Sequence, residues 1–168
     1  VATVAFRDHT RDMFKECEAN NVPLLVFSAG LTPVIESVFM HLEKKIYKNM
    51  HIVSNNLGVT DTGKITGLSG TLIHVLNKNE FTLPTDTPWY GQIKNRDNVI
   101  LMGDHTGDAS MADKLPHGEI IRIGFLNSKV EENIENYKKL FDVVVTNDGT
   151  MEFALKLIKE ILYNKDFL

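Results

Sequence analysis

The sequence predicts an α/β domain in which a parallel sheet is covered by helices on both faces. Short apolar runs of strand length recur along the chain, as at 24–27, 99–102 and 143–145. Stretches of helical periodicity separate them, so strands and helices alternate from end to end, the pattern of crossover-connected parallel strands. The 168 residues are 43% hydrophobic and 24% charged, enough for one ordinary globular domain with a sizeable core.

The elements follow in order. Val4, Phe6, Thr10, Met13, Phe14 and Cys17 fall near helical spacing and predict an amphipathic helix over 4–19, ended by Asn20 and Asn21. Val22 to Phe27 reads as a buried strand, with Pro23 at its start, where a missing N–H is tolerated. Thr32 is expected to cap the next helix, which has Pro33 in its first turn and a core face of Val34, Ile35, Val38, Phe39, Leu42 and Ile46. A short strand at 51–54 is followed by two β-like pieces, 57–60 and 64–68, joined by a turn at Asp61-Thr62-Gly63-Lys64. Pro84, Pro88 and Gly91 mark 82–91 as a loop leading to a short helix. Strand 99–102 then precedes a helix opening near Asp108 with Met111 and Ala112 inside. Strand 120–124, a helix over about 129–140 and strand 143–145 follow. Thr150 is expected to cap a last helix, 151–162, that turns Phe153, Ala154, Leu157, Ile158 and Ile161 inward. No internal repeat or low-complexity segment interrupts this order.

Composition narrows the function. Eighteen Lys and Arg stand against 22 Asp and Glu, a net charge of −4, and no basic run exceeds Lys44-Lys45 or Lys138-Lys139. This argues against a nucleic acid polymer held by counterion release. A single cysteine, Cys17, excludes an internal disulfide framework and fits a reducing, cytoplasmic compartment. No apolar stretch approaches a membrane span and no signal peptide is evident. The first residue is Val1 rather than Met, which hints at a chain that was cut or processed.

Three strings carry chemistry. In Phe27-Ser28-Ala29-Gly30 a strand ends in a hydroxyl and two small residues, just before a helix. Small residues let backbone N–H groups approach an oxyanion, Ser28 adds a donor, and the helix N-terminus favours negative charge. Taken alone, the string also fits an ordinary βα turn. In His74-Val75-Leu76-Asn77-Lys78-Asn79, Lys78 follows a short apolar run and offers a point charge to a phosphate, although many such lysines are simply solvated. In Val99-Ile100-Leu101-Met102-Gly103-Asp104-His105-Thr106-Gly107-Asp108, two Gly-Asp pairs leave an apolar strand. Carboxylates at the carboxyl end of a buried strand sit where open α/β sheets bind ligands, and an oxygen-only site suits Mg²⁺. The other reading is a turn with Asp and Gly in their usual places.

Hydroxyl, lysine and acid pair come in that order, each at a strand end. In this the chain resembles the haloacid dehalogenase superfamily of phosphohydrolases, with Ser28 as second motif, Lys78 as third and Gly103 to Asp108 as fourth. Val22 to Gly30, Val53-Ser54-Asn55, Gly67 to Lys78, Gly103 to Asp113 and Ile123 to Asn127 further resemble the cytosolic 5′-nucleotidase III family of pyrimidine 5′-nucleotidases. The likeness spans nearly the whole chain. It implies a Rossmann-like sheet with helices on both faces, and a cytoplasmic Mg²⁺-dependent phosphohydrolase. The enzyme would remove the 5′-phosphate of nucleoside monophosphates through an aspartyl-phosphate. It also implies that Ser28, Ala29 and Gly30 bind phosphate with Lys78, that Lys78 and Asp108 are catalytic, and that Asp104 and Asp108 hold the metal.

One motif of the pattern is missing. The family's Asp-x-Asp-x-Thr string, which supplies the attacking carboxylate, does not occur. Phe6-Arg7-Asp8-His9-Thr10 has Asp8 and Thr10 at the right spacing but Phe6 in the nucleophile's place, and belongs with the first helix. Residues 1–168 therefore read as a partial core phosphatase domain. The first motif, the cap helices and the first, central strand are expected upstream. Without that strand, 24–27 and 99–102 lose a shared neighbour. His105 stands where relatives more often carry a small polar residue and is expected to meet solvent, and Trp89 receives no role. The alternatives are another phosphomonoesterase of the superfamily, acting on a phosphoserine or a sugar phosphate, and a non-catalytic remnant that binds phosphate or a partner.

Overall fold

A computed structural model describes residues 4–74, 77–79, 83–113 and 116–164. Val75 and Leu76, the apolar run read before Lys78, and Thr82, at the start of the expected loop, lie outside them. The described elements are α1 (Thr10–Ala19), β1 (Leu24–Leu31), α2 (Thr32–Glu43), β2 (Met50–Val59), β3 (Ile65–Ser69), α3 (Tyr90–Ile93) and β4 (Val99–Gly103). A 3₁₀ helix (Thr106–Ser110), β5 (Ile120–Leu126), α4 (Val130–Leu140), β6 (Val143–Thr146) and α5 (Glu152–Tyr163) complete them.

The strands form two three-stranded sheets, ordered β1-β2-β3 and β4-β5-β6. All pairings are parallel except β2 with β3, an antiparallel hairpin whose outer strand is exposed along its length. Among the described residues β1 and β4 are edge strands, each with one ladder partner. These are the two strands that the sequence expects to have lost a common neighbour. Both sheets nevertheless share one core. Met13, Phe14 and Cys17 of α1 and Ala154, Leu155 and Ile158 of α5 are buried with Phe39, Met50, Ile123 and Phe125, and Val26, Ile52, Ile100 and Met102 pack against them.

Several boundaries differ from the sequence reading. The first helix starts at Thr10 rather than Val4, because His9 takes a left-handed conformation with φ 66°. Phe6 still reaches the core, edge-on to Phe14 with ring centroids 5.6 Å apart. Arg7 donates to Asp148 Oδ1 at 2.7 Å, to the Gly149 carbonyl at 2.7 Å and to Asn127 Oδ1 at 2.6 Å. The Asp8 carbonyl accepts from Met151 N at 2.9 Å. Phe6-Arg7-Asp8 thus ties the entry of α1 to the ends of β5 and β6 and forms no strand.

Thr32 does not cap α2. Leu31 occupies that position without a side-chain bond, and the Thr32 hydroxyl meets Ser54 Oγ at 2.7 Å instead. Val34 is 55% exposed, so the buried face of α2 centres on Phe39. Thr150 Oγ1 accepts from Glu152 N at 3.2 Å, one residue ahead of the N-cap Met151. Leu155 takes the inward place in α5 that the sequence assigned to Phe153 and Ile161, which are exposed. The helix expected near Asp108 is a 3₁₀ turn, with Ala112 buried beyond it. Trp89 stacks on His51, centroids 4.8 Å apart and planes 9° apart, which gives it a packing role. Burial holds the His51 imidazole below its usual pKa.

Candidate active site

The candidate site lies at the carboxyl ends of β1 and β4. In β4, an apolar strand stops at Gly103 because the next residues are polar and the backbone must turn. Asp108 then folds back over that glycine: a Cβ on Gly103 would lie 2.3 Å from Asp108 Cβ and 2.6 Å from its Oδ2. Only glycine admits so close an approach.

Asp108 has both oxygens engaged. Oδ1 pairs with Lys78 Nζ at 2.8 Å, and Oδ2 accepts from His105 N at 3.1 Å. The two charged side chains are 6% and 15% exposed, so water screens the pair weakly. Its position is fixed twice over. The contact with His105 N is half of a capping box with the His105 side chain, whose Nδ1 also accepts from Gly107 N at 3.0 Å. His105, expected to meet solvent, is therefore also the cap of this turn. From the side of β5, Arg122 Nε donates to the Ala109 carbonyl at 3.0 Å.

Asp104 is exposed at the end of β4. Its backbone carbonyl accepts from the Tyr137 hydroxyl of α4 at 2.7 Å. The Tyr137 hydroxyl is held above the usual tyrosine range by burial first, then by the charges of Asp104 and Asp108. Both carboxylates thus act on one buried hydroxyl.

At the other sheet, Ser28 Oγ accepts from Gly30 N at 3.0 Å. As an acceptor there, the hydroxyl can still donate its own hydrogen. Ala29 and Gly30, in the irregular last part of β1, are exposed, so their backbone is open to a ligand. The buried Asn55 side chain links this stretch to the segment leading to Lys78. Its Nδ2 donates to the Ala29 and Ile73 carbonyls and its Oδ1 accepts from Ile73 N, all at 2.8 Å.

The structure brings Lys78 and Asp108 into direct contact, places Asp104 on the same turn, and connects the Ser28 stretch through Asn55. Among the described residues no three His, Cys, Asp or Glu side chains gather into a metal cluster. The donors that are present, the Asp104 carboxylate beside Asp108, are hard oxygens. They fit a cation that takes one or two carboxylates and fills its shell with substrate phosphate and water. Gly103, His105, Tyr137 and Asn55 carried no assigned role in the sequence. Of these, Asn55 had a legible signal: a polar pair, Ser54-Asn55, ends an apolar run as Ser28 does in β1.

A family model described as pyrimidine 5′-nucleotidase (UMPH-1) matches residues 1–162. The 7-methylguanosine phosphate-specific 5′-nucleotidase of Mus musculus is 37% identical over 166 residues, which cover 98% of this chain and 55% of the mouse protein. The Homo sapiens protein of the same name is 38% identical over 157 residues, 93% of this chain and 52% of its own length. The crystal structure of cytosolic 5′-nucleotidase IIIB bound to cytidine superposes with a TM-score of 0.82 at 38% identity, over 92% of this chain and 52% of that one. The chain spans about half the length of the relatives it matches. Among the described residues, no helix is long and apolar enough to cross a membrane.

Proposed function

Because the chain belongs to the pyrimidine 5′-nucleotidase (UMPH-1) family, we propose that it is the part of a cytosolic nucleoside 5′-monophosphate phosphohydrolase that holds the phosphate. The observation that carries this reading is the weakly exposed Lys78–Asp108 pair, on whose turn Asp104 is exposed at the end of β4. A partly buried, fixed ammonium next to an oxygen-only acid pair is suited to a transferring phosphoryl group.

Ser28 Oγ–H and the backbone N–H groups of Ala29 and Gly30 bind phosphate oxygens. Lys78 neutralises a further oxygen, and Asp108 holds the ammonium in place rather than leaving it to solvent. Asp104 would be the principal ligand of a metal, and Asp108 would assist it or orient its neighbours. A bound Mg²⁺ would supply charge neutralisation at the phosphoryl oxygens. The attacking carboxylate comes from an Asp-x-Asp-x-Thr segment that this sequence does not contain. Its oxygen bonds to phosphorus as the bond to the 5′ oxygen breaks, and the nucleoside leaves with a proton from the general acid of the same segment, which later takes a proton from the attacking water. Water then attacks the aspartyl-phosphate and releases inorganic phosphate.

The test is steady-state phosphate release by the complete gene product from several nucleoside 5′-monophosphates with Mg²⁺. Asp104→Asn should lose most activity and need more Mg²⁺. Lys78→Ala should lose activity even at saturating metal, and Ser28→Ala should cost roughly 1–3 kcal/mol, the loss of one hydrogen bond. Wild-type rates in Lys78→Ala would remove the ammonium from the mechanism and refute the reading.

A further inference from the structure

The end of β1 departs from its ladder. Between the pairs Phe27–Val53 and Leu31–Asn55, four steps along β1 lie against two along β2. The backbone of Ser28–Gly30 therefore bulges, and a bulge leaves backbone groups in need of other partners. For the Ala29 carbonyl that partner is Asn55 Nδ2 at 2.8 Å. The same side chain closes a two-bond ring with the backbone of Ile73, as a neighbouring strand would. Asn55 is 5% exposed, so these bonds form in a low-dielectric setting where an unmet group is costly. Five residues after Ile73 comes Lys78. The chain beside it is tied by Asn77, whose Oδ1 accepts from His74 N and whose Nδ2 donates to the Leu72 carbonyl, both at 2.7 Å.

We propose that Asn55, assisted by Asn77, is a positioning residue: it fixes the Ser28–Gly30 backbone against the segment that carries Lys78, so that hydroxyl and ammonium meet the same phosphoryl group. The inference rests on the reading of Ser28 and Lys78 as phosphate ligands. Position 55 demands this residue type. Two carbonyls require an NH₂ group, and Ile73 N requires an acceptor on the same short side chain. Aspartate keeps the shape and the acceptor but turns both carbonyl contacts repulsive.

The experiment compares the complete gene product with Asn55→Asp, Asn55→Ser, Asn77→Ala, Lys78→Ala and the Asn55→Asp/Lys78→Ala double variant. Melting midpoint, kcat per folded molecule and KM are measured with Mg²⁺ and a nucleoside 5′-monophosphate. Asn55→Asp should lose roughly 10- to 100-fold in kcat, the scale of a 1 Å misplacement, with KM within about three-fold. In the Lys78→Ala background the same change should cost about three-fold or less, because residues acting through one another are not additive. Asn77→Ala should lose kcat in the same manner, to a smaller extent.

An unchanged kcat per folded molecule in Asn55→Asp overturns the proposal, and so does an equal loss in both backgrounds. Where Asn55→Asp fails to fold, Asn55→Ser is judged by the same criterion. If neither folds, Asn77→Ala decides, since its bonds lie at the exposed surface, and an unchanged kcat there overturns the proposal. Wild-type activity in Lys78→Ala refutes the underlying reading of the site. An impaired Lys78→Ala beside unimpaired Asn55 variants refutes the positioning role alone.

Discussion

Replacing Gly103 with alanine adds one methyl group at the most crowded point of the site. The new Cβ would stand 2.3 Å from Asp108 Cβ, 2.8 Å from its Cγ and 2.6 Å from its Oδ2. Carbon atoms in contact settle at about 3.5–4.0 Å, so the Asp108 side chain must retreat by about 1 Å or more. It cannot do so and keep Lys78 Nζ at 2.8 Å and His105 N at 3.1 Å. Overpacking costs roughly 1–3 kcal/mol. A weakened hydrogen bond between charged groups adds roughly 1.5–3 kcal/mol. Together these predict a loss of about 2.5–6 kcal/mol, or roughly 5–24 °C in Tm for a domain of this size. Thermal unfolding followed by circular dichroism measures it, with Gly91→Ala as control. A Cβ at Gly91 meets nothing within 4 Å, so that change should stay within about 1 kcal/mol. A Gly103→Ala protein that melts within about 2 °C of wild type would refute the argument that Asp108 is wedged over this glycine.

Other outcomes follow from the same geometry. Tyr137→Phe removes the donor to the Asp104 carbonyl and should cost roughly 0.5–1.5 kcal/mol in urea unfolding. Gly124→Ala sets a Cβ 2.6 Å from the Phe141 ring and should destabilise by roughly 1–3 kcal/mol in the same assay. Burial, with a smaller push from Glu16, raises the Cys17 thiol from 9.0 to about 11. The unfolded thiol ionises first, so its contribution to stability is intact below pH 9 and fades as pH rises from 9 toward 11. Native protein should accordingly resist iodoacetamide at pH 8, while urea-unfolded protein is labelled. The 168 residues alone should release no phosphate from nucleoside monophosphates, because both oxygens of Asp108 are engaged and the attacking carboxylate we propose belongs to an Asp-x-Asp-x-Thr string that the sequence does not contain. Turnover abolished by Asp8→Asn would reverse that assignment.

The order of elements, the fold class and the family were legible in the chain itself. Apolar runs of strand length and Gly-Asp strings are local signals, and periodicity needs no knowledge of what packs where. The same is true of the residue types of Ser28, Lys78 and Asp104–Asp108, which already suggested phosphate chemistry; of the strand-end positions expected for them only that of Asp104 holds, since Ser28 lies within β1 and Lys78 lies on no strand. Packing decided the rest. Val34, Phe153 and Ile161 fit their helices' apolar periodicity, yet they are exposed, because the direction of a helix's buried face depends on which neighbours cover it. Thr32 looks like a cap in sequence, but Ser54, 22 residues away, takes its hydroxyl. The bulge at Ser28–Gly30 exists only in the register of β1 against β2, and Asn55 acquires its role only because that bulge frees the Ala29 carbonyl. The glycine at 103 reads as a strand terminator in the sequence, whereas in three dimensions it is the space Asp108 needs to reach Lys78. Sequence patterns determined which chemical groups are present and in what order. Long-range backbone pairing decided which of them touch, because a contact between residues 30 apart is set by strand register and close packing, and neither is encoded in local periodicity.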